Sequence, residues 1–149
     1  MMSRNLPGIV FAAAMLSSGA WAAANATTTD EPHFLQAADE AAQGGDEDGA
    51  VQLYQSAIIY APGDPIPYER LAEFYVQNGQ TELAHRYFAL ALDVQPAYAP
   101  ALQGIALLDL ASGDRAGAQA QHEVLLHACG ATCPETAQVE KALKTGAAP

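Results

Sequence analysis

A spacing of 34 residues runs through this chain. Glycines fall at Gly45, Gly79 and Gly113, and alanines at Ala38, Ala72 and Ala106 and again at Ala50, Ala84 and Ala118. Bulky residues recur at Phe34, Tyr68 and Leu102, while Tyr54, Phe88 and His122 keep the same step. Pro62 and Pro96 follow it too, with Gly130 next in register. A fixed period of this length marks one supersecondary unit repeated, in which each unit leaves an apolar face that only a stacked neighbour covers. Three units, 31–64, 65–98 and 99–132, take up most of the 149 residues.

Inside each unit the pattern is helical. Tyr68, Leu71, Ala72 and Tyr75 lie at the i, i+3, i+4, i+7 spacing of one helix face, and Ala84, Phe88 and Ala91 resume it after the break at Asn78-Gly79-Gln80. Gly79 suits a left-handed turn between two helices, and Pro96 stops the second because it lacks an amide hydrogen. Thr81, Asp114 and the run Asp46-Glu47-Asp48 stand where second helices begin and are expected to cap free amides or meet the helix dipole. The abundant alanines allow paired helices to approach closely. A further helix is expected from Pro134 to about Lys144 within 133–146, with Val139, Ala142 and Leu143 as its apolar stripe and Glu140 paired with Lys144.

In these residues the chain resembles the tetratricopeptide repeat (TPR) family. The second unit carries the family's succession of large, Leu, small, aromatic, Gly, Ala, aromatic, Ala and Pro at Tyr68, Leu71, Ala72, Tyr75, Gly79, Ala84, Phe88, Ala91 and Pro96. The first keeps Phe34, Ala38, Gly45, Ala50, Tyr54, Ala57 and Pro62, with small Ala37 and Ala41 in bulky places. The third keeps Leu102, Ile105, Ala106, Gly113 and Ala118 but substitutes Asp109 for the aromatic, His122 for Tyr or Phe and Leu125 for Ala, as an atypical terminal repeat does. The resemblance implies an all-α, right-handed superhelix of three helix hairpins, closed by a C-terminal capping helix. An unrelated Ala-rich bundle also fits the composition; three co-registered units favour the solenoid.

The resemblance further implies that the first helix of each unit lines a concave groove. The residues so placed are Leu35, Asp39 and Ala42; Ile66, Glu69, Glu73, Val76 and Gln77; and Gln103, Leu107 and Leu110, with Arg70 the one nearby cation. TPR domains that clamp acidic chaperone tails set Lys, Arg and Asn along this groove. Here Asp39, Glu69 and Glu73 stand instead, so a basic or amphipathic protein segment is the expected partner. Ordinary solubilising carboxylates on an unused face are the plainer alternative.

Ahead of the repeats, Arg4, the apolar stretch Leu6 to Leu16 and the small-residue run ending Ala24-Asn25-Ala26 have the three parts of a secretory signal peptide. Cleavage is expected between Ala26 and Thr27, making 1–26 the signal, 27–30 a linker and 147–149 a tail. The apolar stretch is too short for the ~20 residues of a membrane span, and no cysteine follows it for lipoprotein processing. The protein is therefore expected to be periplasmic or secreted, with no stable membrane insertion. Seventeen acidic against six basic residues give a net charge of −11, which argues against nucleic acid as a partner because phosphate neutralisation needs Lys and Arg.

An exported chain is also where a disulfide persists. Cys129 and Cys133 flank Gly130 and can bridge to pin the cap. A redox-active pair, or a metal held with His127, is the rival, weakened by the lack of a fourth ligand. His122, in the register of Tyr54 and Phe88, reads as a packed histidine, while His33 and His85 have no evident partners. Asp46-Glu47-Asp48 lacks the alternating spacing of a calcium loop. With no nucleophile elbow, phosphate loop, HExxH or CxxCH, the expectation is a non-enzymatic protein-binding module without cofactor or metal. A redox or metal-handling accessory and a self-associating structural module are the alternatives.

Overall fold

The computed structural model describes residues 33–146, which form seven α-helices and no strand. The expected signal segment, its cleavage site at Ala26–Thr27, the linker and the tail 147–149 lie outside them. The helices are α1 (Phe34–Gln43), α2 (Glu47–Tyr60), α3 (Ile66–Gln77), α4 (Thr81–Val94), α5 (Ala99–Ser112), α6 (Arg115–Ala128) and α7 (Pro134–Thr145). They pair as three antiparallel hairpins, α1 with α2, α3 with α4 and α5 with α6, each stacked on the next, and α7 lies against both α5 and α6. No helix of the described residues is long and apolar enough to cross a membrane.

The period explains this packing. Ala38, Ala72, Ala106, Ala50, Ala84 and Ala118 are all fully buried, so the backbones of paired helices meet at points where no larger side chain would fit. Bulky residues occupy the space beside them: Tyr54, Leu71, Phe74, Tyr75, Phe88 and Ile105 form the main core. Tyr54, Phe74, Tyr75 and Tyr87 make a run of aromatic contacts across α2, α3 and α4, with ring centroids 5.9, 5.8 and 5.5 Å apart. Each hairpin turns on the recurring glycine, with φ of 81° at Gly45, 68° at Gly79 and 87° at Gly113, a region a Cβ strongly disfavours.

Helix starts differ from the expectation at one point. Asp46 and Asp114 cap their helices, accepting from the amides of Gly49 and Gly117 at 3.0 and 2.9 Å. Thr81, by contrast, is the first residue of α4, and the flanking Gln80 makes no side-chain cap bond. Its hydroxyl is one position too far into the helix to reach the free amides.

A second core joins the last hairpin to α7 through Leu102, Ala106, Ala118, Leu125, Val139 and Leu143. Leu125 stands where Ala57 and Ala91 stand in the earlier units and is fully buried. A single capping helix approaches where a whole hairpin would otherwise stack, and the larger side chain fills the difference. Burying a side chain of this size contributes roughly 1.5–3 kcal/mol. Arg115 reaches across to the carbonyl of Leu143 at 2.5 Å, and Glu140 pairs with Lys144 at 2.5 Å on the wet side of α7. Cys129 and Cys133, at the α6–α7 junction, lie with their sulfurs at disulfide distance and their Cα atoms 5.7 Å apart. His122 is half-buried, its Nε2 enclosed without a hydrogen-bond partner.

Candidate functional site

The first helices of the three hairpins, α1, α3 and α5, line a trough. A polar cup of about 230 Å³ is walled by Asp39 and Gln43 from α1, Tyr54 from α2, and Arg70, Glu73 and Gln77 from α3. A larger, more apolar cavity of about 410 Å³ adjoins it, lined by Val76, Phe88, Pro100, Gly104, Leu107 and Leu108 among others. Glu73 and Gln77 belong to both, so the two form one continuous depression.

The 34-residue period sets its polarity. Asp39, Glu73 and Leu107 occupy equivalent positions on successive first helices, as do Gln43, Gln77 and Ala111. The trough therefore passes from carboxylates on the first two repeats to an apolar floor on the third. Gly104 is the equivalent of Arg70; without a side chain it leaves room for the Phe88 ring.

In the polar cup Asp39 accepts a hydrogen bond from the Tyr54 hydroxyl at 2.6 Å and an ion pair from Arg70. Arg70 also stands 3.8 Å from Glu73. Burial, then the bond to Asp39, drives the Tyr54 phenol well above its ordinary range, so it remains a donor. The guanidinium is thus occupied by the protein's own carboxylates, and Glu73, with nearly half its side chain exposed, is the carboxylate least committed within the fold.

Of the residues expected in the groove, Asp39, Arg70, Glu73, Gln77, Gln103 and Leu107 line one or both cavities, together with Ala42 and Val76. Glu69 does not. Its side chain is buried, 8% exposed, rather than presented to solvent. It sits near the start of α3, within the influence of Tyr98 at the start of α5, and desolvation followed by the neighbouring Glu73 charge pushes its carboxyl up to about 8. Leu35 and Leu110 pack against the two cores and Ile66 is exposed outside the cavities. Gln103 donates to Gln138 of α7 at 2.6 Å, which ties the end of the trough to the cap.

The contributions of Tyr54 and Phe88 were not foreseen, because both come from second helices. His85, expected to be unpartnered, stands 3.9 Å from Asp109, the residue that replaces the repeat's aromatic. They share a cavity of about 320 Å³ with Thr81 and Leu108, which also line the apolar cavity. Burial raises the Asp109 carboxyl above its usual range against the opposing influence of His85. At the α6–α7 junction, ligand atoms of Cys129, Cys133 and Glu135 lie within 4.8 Å of one another. With the two sulfurs bonded to each other, that group does not offer a thiolate metal site.

Helix hairpins stacked in register, with a trough along their first helices, define an α-α solenoid. No family model matches the sequence, and comparison with curated proteins finds no match either. Among solved structures the chain is similar to the TPR domain of Arabidopsis OM64, with a TM-score of 0.65, 16% identity, and 77% of this chain and 94% of that one covered. It is similar to the first TPR domain of Spaghetti (RPAP3), solved bound to the HSP90 peptide SRMEEVD, at TM-score 0.64 and 17% identity over 76% and 92% of the two chains. The Sgt2 TPR domain from Aspergillus fumigatus gives 0.65 and 25% identity over 76% of each. The chain has the fold of a tetratricopeptide repeat domain.

Proposed function

We propose that this protein is an exported, non-enzymatic interaction module that holds a peptide or protein segment in the trough along α1, α3 and α5. The observation that carries the reading is the continuity of the polar cup and the apolar cavity through Glu73 and Gln77. The neighbour solved with SRMEEVD holds an acidic peptide. The trough described above differs in chemistry, because Arg70 is already engaged by Asp39 and Glu73. Its exposed carboxylate favours a basic or amphipathic segment and repels an acidic tail. The N-terminal segment 1–26 supports a periplasmic or secreted setting, not a lipoprotein, and envelope assembly or secretion as the process served.

Affinity capture from envelope extract tests the reading when wild type is compared with Glu73→Lys, a charge reversal at an exposed position. Loss of the captured partner from the variant is expected. Equal recovery of every partner by both forms would sink the groove reading, and an N-terminus still carrying the apolar segment would sink the exported one.

The second reading, a redox or metal-handling accessory, draws on the closeness of Cys129, Cys133 and Glu135. Thiol titration with and without reductant, together with metal analysis, separates it from a structural bridge. An unreactive disulfide in a metal-free protein eliminates it.

A further inference from the structure

Glu69 and Glu73 are one turn apart on α3, and they meet solvent very differently. Glu69 is buried and lines neither cavity, while Glu73 opens into both. The two carboxyls are within hydrogen-bonding reach of each other. The charged and titratable groups around them are Asp39 from α1, Tyr54 from α2, Arg70 on α3 itself and Tyr98 at the start of α5. Asp39 and Arg70 form an ion pair and offset one another. The cluster as a whole sets one cation, Arg70, against the three carboxyls of Asp39, Glu69 and Glu73, at the seam between a polar cup and an apolar cavity.

A partner side chain that is cationic at Glu73 and followed by a bulky apolar group satisfies both halves of this seam. The apolar cavity, about 410 Å³, has space for such a group against Val76, Phe88 and Leu107. We propose that the trough recognises a segment with a lysine or arginine placed at Glu73 and a bulky apolar residue in the adjoining cavity, and that arrival of the cation expels a proton held by the Glu69–Glu73 pair. This inference rests on the groove-binding reading and adds its partner chemistry.

The proton balance follows from the environment. Burial and the Glu73 charge push Glu69 up to about 8, so at neutral pH Glu69 holds a proton and the pair carries a single negative charge. A cation brought against Glu73 favours the charged form of both carboxyls, lowers the proton affinity of Glu69, and releases its proton to solvent. The segment gains a second carboxylate only once it has bound. An acidic segment gains nothing and raises the cost of the charge already present.

The test is panning of a random-peptide display library against the purified protein at neutral pH, followed by calorimetry of the enriched peptide in buffers of different ionisation enthalpy. Enriched sequences are expected to share a lysine or arginine at fixed spacing from a bulky apolar residue. Their binding to wild type should release close to one proton, read from the buffer dependence of the heat. Glu73→Gln should bind about tenfold more weakly, and Glu69→Gln should bind with the proton release gone. No enrichment over blank support overturns the groove-binding reading and this inference together. Enriched peptides without a cation, equal binding by Glu73→Gln, or no proton released by wild type overturns this inference alone.

Discussion

The ring of Phe88 on α4 occupies the space in front of Gly104 on α5. A Cβ at Gly104 would fall 2.6 Å from both Cε atoms of that ring and closer still to Cζ. Phe88 is 3% exposed and its ring belongs to the main core, so moving it off the new methyl disturbs core packing. In an unencumbered helix interior, Gly→Ala gains roughly 1 kcal/mol from propensity. Here overpacking, at about 1–3 kcal/mol, opposes and outweighs it. Gly104→Ala should lower the midpoint of thermal unfolding by several degrees, measured by circular dichroism. A midpoint that rises instead would show that Phe88 moves freely.

The capping helix depends on the α6–α7 junction. Cys129 and Cys133 are four residues apart, and closing so short a loop removes unfolded-chain entropy corresponding to about 2 kcal/mol. Replacing both with alanine should lower stability by an amount of that order. The first amides to gain hydrogen exchange should be those of α7, because the bridge sits at its start, while the contacts of Val139 and Leu143 lie further along. Exchange that rises evenly over all seven helices would argue that the bridge does not act on the cap.

Much of this architecture was legible because the repeat writes it three times. Gly45, Gly79 and Gly113 marked the three hairpin turns, and the buried alanines marked the helix contacts, each by simple spacing. Asp39, Glu73 and Leu107 fell on the trough for the same reason. What spacing does not contain is the environment contributed by the next element. Glu69 looked exposed on its own helix and is buried where the following repeat begins, near Tyr98. His85 and Asp109 meet only because α4 and α5 pack together. Tyr54 and Phe88 reach the trough from second helices, a direction the first-helix rule leaves out. Gly104 at the register of Arg70 was the one sequence signal of that kind, an absent side chain marking a place taken by another.

The polar cup rests on a bond that one atom can remove. Tyr54 is 4% exposed and donates to Asp39 at 2.6 Å. In Tyr54→Phe the ring contacts with Phe74 remain and the donor is lost. Hydrogen bonds to charged groups contribute about 1.5–3 kcal/mol, but Asp39 is partly exposed and keeps Arg70, so water offsets part of the loss. A destabilisation near the low end of that range is expected in denaturant unfolding, with unchanged m-value. No change at all would mean that the hydroxyl contributes nothing to holding Asp39 in the trough.

Glu69 gives the protein a pH dependence with a definite sign. Its carboxyl lies at about 8 in the fold, raised by burial and then by Glu73, against an ordinary value of 4.5. Between those two values the unfolded chain has given up the proton that the folded chain still holds. The folded state therefore binds more protons there, and stability falls as pH rises through this window, levelling off above about 8 where both states are ionised. Glu69→Gln keeps a neutral, hydrogen-bonding side chain at every pH, so its unfolding midpoint should exceed that of wild type by a margin that widens from pH 4.5 to 8. Near pH 4 the two should nearly coincide. Thermal unfolding of both proteins across this range, in one ionic strength, measures the difference. A constant offset at all pH values would place the effect in packing and leave Glu69 ionised in the fold.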